Sequence, residues 1–209
     1  NKSCILRRLS YMTTLTDLCS DVYTITNRPD LINETKLAVK AATLKMHQSD
    51  YYYRDLLEQG ITFDTSDYTQ QFDIYSVFPN YRALKYIRRY DNSSTGAAKE
   101  FFEILTPTNI LDAYGNDRTG VAYVAGTVVN IKSFYQFQYA LIGIYINPDI
   151  TDDNYSSWIA DTSKYAIVFE AARVVFKQIG FDEQSTTFQA LVAEQVAMLK
   201  VTNINPVGY

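Results

Sequence analysis

Residues 165–180 read YAIVFEAARVVFKQIG, a helical pattern that is apolar on nearly every side. Only Glu170, Arg173 and Lys177 recur on one polar stripe, and Gly180 follows as a typical C-terminal stop. A helix with so little polar surface has to be covered by other elements. The sequence therefore predicts a long helix, buried nearly all round, within a helical bundle.

Three other segments have helical patterns, at residues 14–25, 31–48 and 183–202. Thr14 and Asp17 have capping-box spacing, and Asp30 is placed to cap the second helix. The last helix has a large apolar face and a second face of small residues, Ala190, Ala193 and Ala197. Such a face permits close approach by another helix, including one from a neighbouring subunit, although alanines also simply favour helix.

Between these helices the pattern becomes β-rich. Apolar residues alternate over 72–78, and further strand candidates are 86–90, 101–105, 121–132 and 138–146. The predicted fold class is α+β: an antiparallel α-helical bundle with an inserted β-rich subdomain and an extended C-terminal tail. The predicted organisation is an N-terminal arm (1–11), a helical bundle (12–60 and 149–202), a β-rich insertion (61–148) and a C-terminal tail (203–209).

Composition argues against several function classes. The net charge is −4, without the dense basic stripe that is typical of proteins gripping nucleic acid. Cys4 and Cys19, with a single histidine, cannot complete the usual four-ligand zinc site without carboxylates. No apolar run is long enough to span a membrane. The 18 tyrosines favour an interaction protein, because their rings suit surfaces that become buried against partners.

His47 is the only histidine and the best single candidate for chemistry. Its spacing from Lys36, Lys40 and Thr43 predicts that all four share one polar helix face. No serine or cysteine has a recognisable nucleophile context that could use it. We therefore expect no catalytic, cofactor-binding or metal-binding residues. The inter-subunit candidates are Lys36, Lys40, His47, Tyr51, Tyr52, Tyr53, Ala190, Ala193 and Ala197.

An acidic loop precedes the buried helix and leaves one chemical alternative open. Asp149, Asp152 and Asp153 could hold a hard cation or serve a carboxylate-based hydrolase. The spacing lacks the alternation and distal glutamate of an EF-hand, and capping of the following helix explains the acids more simply. The loop is therefore interpreted as structural.

Two stretches resemble the head-to-tail adaptor proteins of tailed bacteriophages, particularly short-tailed ones. Residues 16–56 resemble the N-terminal helical hairpin of that family, and residues 148–183 resemble its segment of proline, loop, tryptophan and long helix. In the first stretch the resembling elements are NRPDL (27–31), ET (34–35), AV (38–39), ATLK (42–45) and HQSDY (47–51). Together the two stretches cover about half of the chain, and the arm at 1–11 departs from the usual start of the family.

The resemblance implies a mechanical role in the virion neck. About twelve copies would form a ring beneath the portal protein, extend the DNA channel and offer a platform to tail or nozzle proteins. DNA would pass through the lumen without specific binding. In this family the C-terminal tail commonly inserts against the portal, which would assign that role to Asn203, Ile204, Asn205, Pro206, Val207, Gly208 and Tyr209.

The resemblance also implies assembly in the host cytoplasm, with no membrane and no cofactor. Within the ring, the basic segment KYIRRY (85–90) would meet an acidic tail partner or a neighbouring subunit and not DNA. A tail-side neck or tube component is the nearest alternative, and a carboxylate-based hydrolase is a more distant one. A nucleic-acid-binding module would have to show binding that weakens steeply with salt.

Overall fold

A computed structural model describes residues 12–90 and 98–202. The predicted arm (1–11) and tail (203–209), including the portal-binding candidates, lie outside these residues. In chain order the helices and strands are α1 (Leu15–Thr26), α2 (Ile32–Gln48), β1 (Leu56–Asp73), α3 (Ile74–Val77), β2 (Tyr81–Tyr90), β3 (Ala98–Phe101), β4 (Glu103–Leu105), β5 (Val121–Ala125), β6 (Val128–Ile146), α4 (Trp158–Gln178) and α5 (Asp182–Thr202). The mixture of helices and strands agrees with the α+β class.

The chain divides into two compact units. Among the described residues, the helical unit contains 12–54 and 148–202, and the sheet unit contains those of 55–147. The first boundary lies before the predicted position at residues 60 and 61. The reason is β1, which begins at Leu56 and was not predicted as a strand.

In the helical unit, α4 contacts α1, α2 and α5. It begins at Trp158, earlier than the apolar pattern suggests, and its backbone leaves helical geometry at Ser163. Its buried side chains join those of the other helices in one apolar core. The members contributed by α4 are Ile159, Ala160, Ala166, Ile167, Val168, Ala171, Ala172, Val175 and Phe176. The prediction that this helix is buried nearly all round is confirmed.

The helix starts show one confirmed prediction and one error. Thr14 caps α1 through a reciprocal capping box with Asp17, as the spacing predicts. The N-cap of α2, Leu31, makes no side-chain cap bond. Asp30, the predicted cap, instead binds the guanidinium of Arg28 through two oxygens, at 2.8 and 2.7 Å.

The sheet unit is a single six-stranded sheet built around β6, with the order β3-β2-β6-β5-β4. Along its first part β6 pairs with β5, along its last part it pairs with β2, and β1 pairs with both parts. The β1–β6 register shifts between Thr62 and Thr69, where both strands are irregular. Only β4 and β5 pair in parallel. Inward side chains from these strands form a second apolar core.

Two strand predictions were correct only in part. The alternation over 72–78 ends in the short helix α3, which Asp73 caps by accepting from the N–H of Ser76. The predicted strand 121–132 is a hairpin, β5 and β6, that turns at Gly126 with φ of 64°. Gly143 has a different role: a Cβ there would lie 2.5 Å from the ring of Tyr86, which packs on the sheet at that point.

Candidate functional site

The site residues predicted from the sequence are examined first for metal ligands and membrane-spanning helices. No three His, Cys, Asp or Glu side chains within 12–90 and 98–202 are placed to hold a metal ion. In the same part of the chain, no helix is long and apolar enough to cross a membrane. The predicted inter-subunit candidates begin on the polar face of α2.

The polar face of α2 is occupied by the loop that leads into α4. Lys36 and Lys40 both form ion pairs with Asp153, the latter at 3.0 Å, and Lys40 also donates to the carbonyl of Thr151. Hydrogen bonds from Lys36 first and Lys40 second lower the pKa of the Asp153 carboxyl below its usual range. The two lysines predicted for subunit contacts thus hold a loop of their own chain.

The same face continues inward and becomes buried. The Thr43 hydroxyl shares a hydrogen bond with that of Tyr155 at 2.8 Å, and His47 Nε2 lies 2.8 Å from Ser157 Oγ. Thr43 and His47 are both buried, and the His47 ring packs edge-on against Trp158. His47 was predicted as an inter-subunit candidate on this face. Its side chain is instead buried beneath residues 151–157 of its own chain.

The three consecutive tyrosines have different environments. Tyr52 is buried, with its ring edge-on to Trp158 and its hydroxyl 2.7 Å from Ser49 Oγ. Tyr51 and Tyr53 are 53% and 45% exposed, respectively. Only these two remain as candidates for contacts outside the chain, and Tyr52 is corrected to a core residue.

In the acidic loop, Asp149 and Asp152 each accept hydrogen bonds from the residue two positions later in the chain. Asp149 accepts hydrogen bonds from the hydroxyl and N–H of Thr151, which lower the pKa of its carboxyl. Asp152 accepts from the N–H of Asn154 at 3.1 Å. The residue that caps α4 is Ser157, whose hydroxyl accepts from the N–H of Ala160 at 3.3 Å. The expected capping of this helix by aspartates is therefore wrong.

One charge cluster, built around a buried carboxylate, was not predicted. The Glu170 side chain, 3% exposed, accepts two hydrogen bonds from Arg173 at 2.9 and 2.7 Å and one from Lys45 at 2.7 Å. Burial alone would raise the pKa of Glu170. The bonds from Arg173 and Lys45 outweigh that effect and leave the pKa below the ordinary value. All three charges are satisfied within the helical unit, so the cluster is structural.

One face of α5 packs against α4, and the opposite face is exposed. The buried residues among its described side chains recur every seven positions: Ser185, Val192 and Leu199. This side of α5 packs on α4. On the far side, Ala190, Ala193 and Ala197 are exposed, as is Val201 at 65%. The described part of the helical unit therefore leaves the predicted small-residue face uncovered.

The basic segment of β2 is largely used inside the sheet unit. The Arg88 guanidinium lies 4.4 Å from the centre of the Phe101 ring. Arg89 is buried, with its guanidinium 4.9 Å from the centre of the Tyr135 ring. Lys85 is exposed. Two of the three cations of KYIRRY therefore cover aromatic rings and leave Lys85 as the exposed charge.

Comparison with protein-family models and with curated protein sequences finds no match to this chain.

The sequence did not predict three structural features: the α4 cap at Ser157, the burial of Glu170 and the edge strand β1. The first two carried a usable signal. Serine is a preferred N-cap residue, and a lone glutamate within an apolar helix has to find a cation.

Proposed function

We propose that this protein is a structural component of a tailed-phage neck, a head-to-tail adaptor. About twelve copies form a ring between portal and tail, extend the DNA channel and provide a platform for tail proteins. In this proposal the fold is an antiparallel helical bundle with an inserted β-rich subdomain, and residues 203–209 bind the portal.

The observation that carries the proposal is the way in which the chain divides. The described residues before and after the insertion, 12–54 and 148–202, build one helical unit, and the described residues of 55–147 build a separate sheet unit. A helical bundle interrupted by a β-rich insertion is what the resemblance of residues 16–56 and 148–183 implies. The two resembling stretches also meet: α2 belongs to the first, and the loop and helix bound to it belong to the second.

The exposed surfaces of the helical unit give the proposal its candidate subunit contacts. Ala190, Ala193 and Ala197 are exposed on α5, and Tyr51 and Tyr53 are exposed after α2. Small residues allow close helix approach, and exposed tyrosines are common in interfaces. Lys36 and Lys40 are no longer proposed as direct subunit contacts, because both pair with Asp153 of their own chain.

The hydrolase alternative has weaker support. Asp153 is already paired with two lysines, and Asp149 and Asp152 accept backbone N–H bonds within their own loop. Replacing Asp152 and Asp153 by asparagine would have to abolish a measurable turnover for that alternative to stand. A tail-side neck component differs from the main proposal only in its partner.

The deciding experiment is reconstitution with the portal protein of the same phage. Purified chain and portal are mixed and inspected by negative-stain microscopy, with portal alone as the control. The proposal predicts an added ring of density on the tail-facing side of the portal. A truncation that removes residues 203–209 should lose that density while keeping the circular dichroism spectrum of the intact chain.

A further inference from the structure

The face of the sheet opposite its apolar core carries two rows of side chains that the core does not use. Residues directly paired in antiparallel strands lie on the same face, so the register defines each row. The members are Thr62, Tyr139 and Tyr90 in one row, and Gly60, Leu141, Arg88 and Phe101 in the next. All seven are exposed or only partly buried, and none belongs to the apolar core of the sheet unit.

A cavity of about 230 Å³ opens on this face. Its lining residues are Gly60, Ile61, Thr62, Tyr90, Tyr139, Ala140 and Leu141. A Cβ placed on Gly60 would meet no described atom within 4 Å, so the absence of a side chain there leaves the space open. Because a cavity of about 150 Å³ can hold benzene, this one has room for one aliphatic or aromatic side chain.

Arg88, which pairs with the cavity residue Leu141, lacks an anionic partner. In the described part of the chain its guanidinium has no ion pair and no hydrogen bond, and its Nε is buried. The guanidinium lies 4.4 Å from the centre of the Phe101 ring. Stacking of this kind uses the flat face of the group and leaves the N–H donors, which lie in its plane, for an acceptor. A donor buried without an acceptor is unfavourable, so this arginine is suited to an external anion.

The other cations of β2 do not share this property. Arg82 lies 3.9 Å from the carboxylate of Asp55, and Arg89 is buried against the Tyr135 ring. Lys85 is exposed, and a solvated lysine does not point to a particular ligand. Arg88 is therefore singled out by its environment and not by the overall charge of the strand.

The combination of Arg88 with the cavity selects the chemistry of the ligand. An arginine fork matches a carboxylate, and the cavity beside it accepts an apolar side chain. Arginine and tyrosine in such a pocket are typical of the residues that dominate binding energy between proteins. Nucleic acid fits less well, because the exposed Glu58 lies one row further on the same face and the net charge is −4.

We propose that Arg88 and the cavity beside Tyr90 and Tyr139 bind an acidic segment of a partner protein. An aspartate or glutamate carboxylate of that segment binds the Arg88 guanidinium, and a neighbouring apolar side chain enters the cavity. The binding site stands on the sheet unit alone. The assignment of the partner to the tail rests on the proposed function, in which this chain offers a platform to tail proteins.

The first test measures peptide binding to the intact chain in solution by NMR titration. The peptide is acetylated and amidated Glu-Phe-Glu, and the matched controls are Gln-Phe-Gln, without charge, and Glu-Ala-Glu, without the ring. We expect Glu-Phe-Glu to bind at least about fivefold more tightly than either control. Arg88→Gln should abolish the preference over Gln-Phe-Gln. Lys85→Gln removes an exposed charge from the same strand and should leave the preference unchanged.

Filling the cavity provides a second variant that keeps every charge. Gly60→Leu adds a side chain where a Cβ meets no described atom, so the melting temperature should not fall. Binding of Glu-Phe-Glu should weaken about tenfold, because the leucine occupies the space for the phenylalanine ring. Gln59→Leu is the matched control, since neighbouring residues of a strand lie on opposite faces, and it should change binding by less than about twofold.

These measurements can overturn the site without reference to the ring. Equal binding of the three peptides, or equal effects of Arg88→Gln and Lys85→Gln, would overturn it. Tighter binding of a DNA duplex than of Glu-Phe-Glu, lost in Arg88→Gln, would assign Arg88 to phosphate and overturn the acidic partner.

The assignment of the partner to the tail is tested on portal-bound rings with the tail protein encoded beside this chain. Arg88→Gln should form rings as the wild type does and bind the tail protein about tenfold more weakly. Unchanged tail binding would overturn this assignment and leave the proposed ring standing. If the wild type forms no ring on the portal, the proposed function fails, and the peptide titration still decides whether the site exists.

Discussion

Nε2 of His47 lies 2.8 Å from Oγ of Ser157, and the same oxygen accepts the N–H of Ala160 at the start of α4. The only histidine of the chain thus joins the end of α2 to the N-cap of the central helix. Both side chains are buried. His47 therefore has a structural role. Substitutions at this contact should destabilise the helical unit.

Ser157→Ala should destabilise the helical unit by about 1–2 kcal/mol, because it removes the N-cap and the hydroxyl bonded to His47. Urea unfolding followed by circular dichroism measures the change. Ser156→Ala is the matched control, since Ser156 is adjacent and exposed and should change stability by less than about 0.5 kcal/mol. Equal losses would contradict the assignment.

Removing one partner of Glu170 should have unequal consequences. Arg173→Met removes the side chain that donates two hydrogen bonds to the buried Glu170 carboxylate. It should lower the free energy of unfolding by about 3 kcal/mol. Lys45→Met removes a partner whose side chain is 55% exposed and should cost less than about 1 kcal/mol. Thermal unfolding of both variants checks the order. A larger loss for Lys45→Met would show that Arg173 is not the main partner.

Glu170 should also contribute to stability in a pH-dependent way. The folded state lowers the pKa of its carboxyl, so its contribution is fully present above the unfolded value, about 4.3, and is lost as pH falls through the folded pKa. We expect the difference in unfolding free energy between wild type and Glu170→Gln to be constant from pH 8 to 5 and to shrink below about pH 4. A difference that grows toward acid pH would contradict the sign.

A bulky residue on the open face of α5 should impair assembly and spare the fold. Ala197→Trp adds volume at an exposed position, so the melting temperature should hardly change. If the face packs closely in the ring, the clash should weaken assembly about tenfold or more. Gln184→Trp, exposed on a different side of α5, is the control. Normal rings from Ala197→Trp would remove this face from the interface.

The sequence was most informative where local chemistry determines structure. Residues 165–179 are apolar on nearly every side of a helix, and this pattern predicted that the helix is buried. The spacing of Thr14 and Asp17 predicted the capping box. Both signals lie within a short stretch of sequence. The alternation over 72–78 was misleading, since a cap at Asp73 stabilises one helical turn there.

The errors concern contacts between distant segments. Helical spacing correctly placed His47 on the same face of α2 as Lys40, but spacing alone cannot reveal that residues 151–157 return to cover this face. β1 was missed for a related reason. An edge strand with only two buried side chains has no alternating pattern to detect. Both features appear only when the tertiary fold is known.

We propose that the chain assembles as a ring on a phage portal. Cryo-electron microscopy of the purified protein mixed with the portal protein encoded beside it tests this most directly. We expect a closed ring, of about twelve copies, stacked coaxially on the portal around an open channel. Portal particles without added density, with the protein remaining monomeric at saturating concentration, would contradict it.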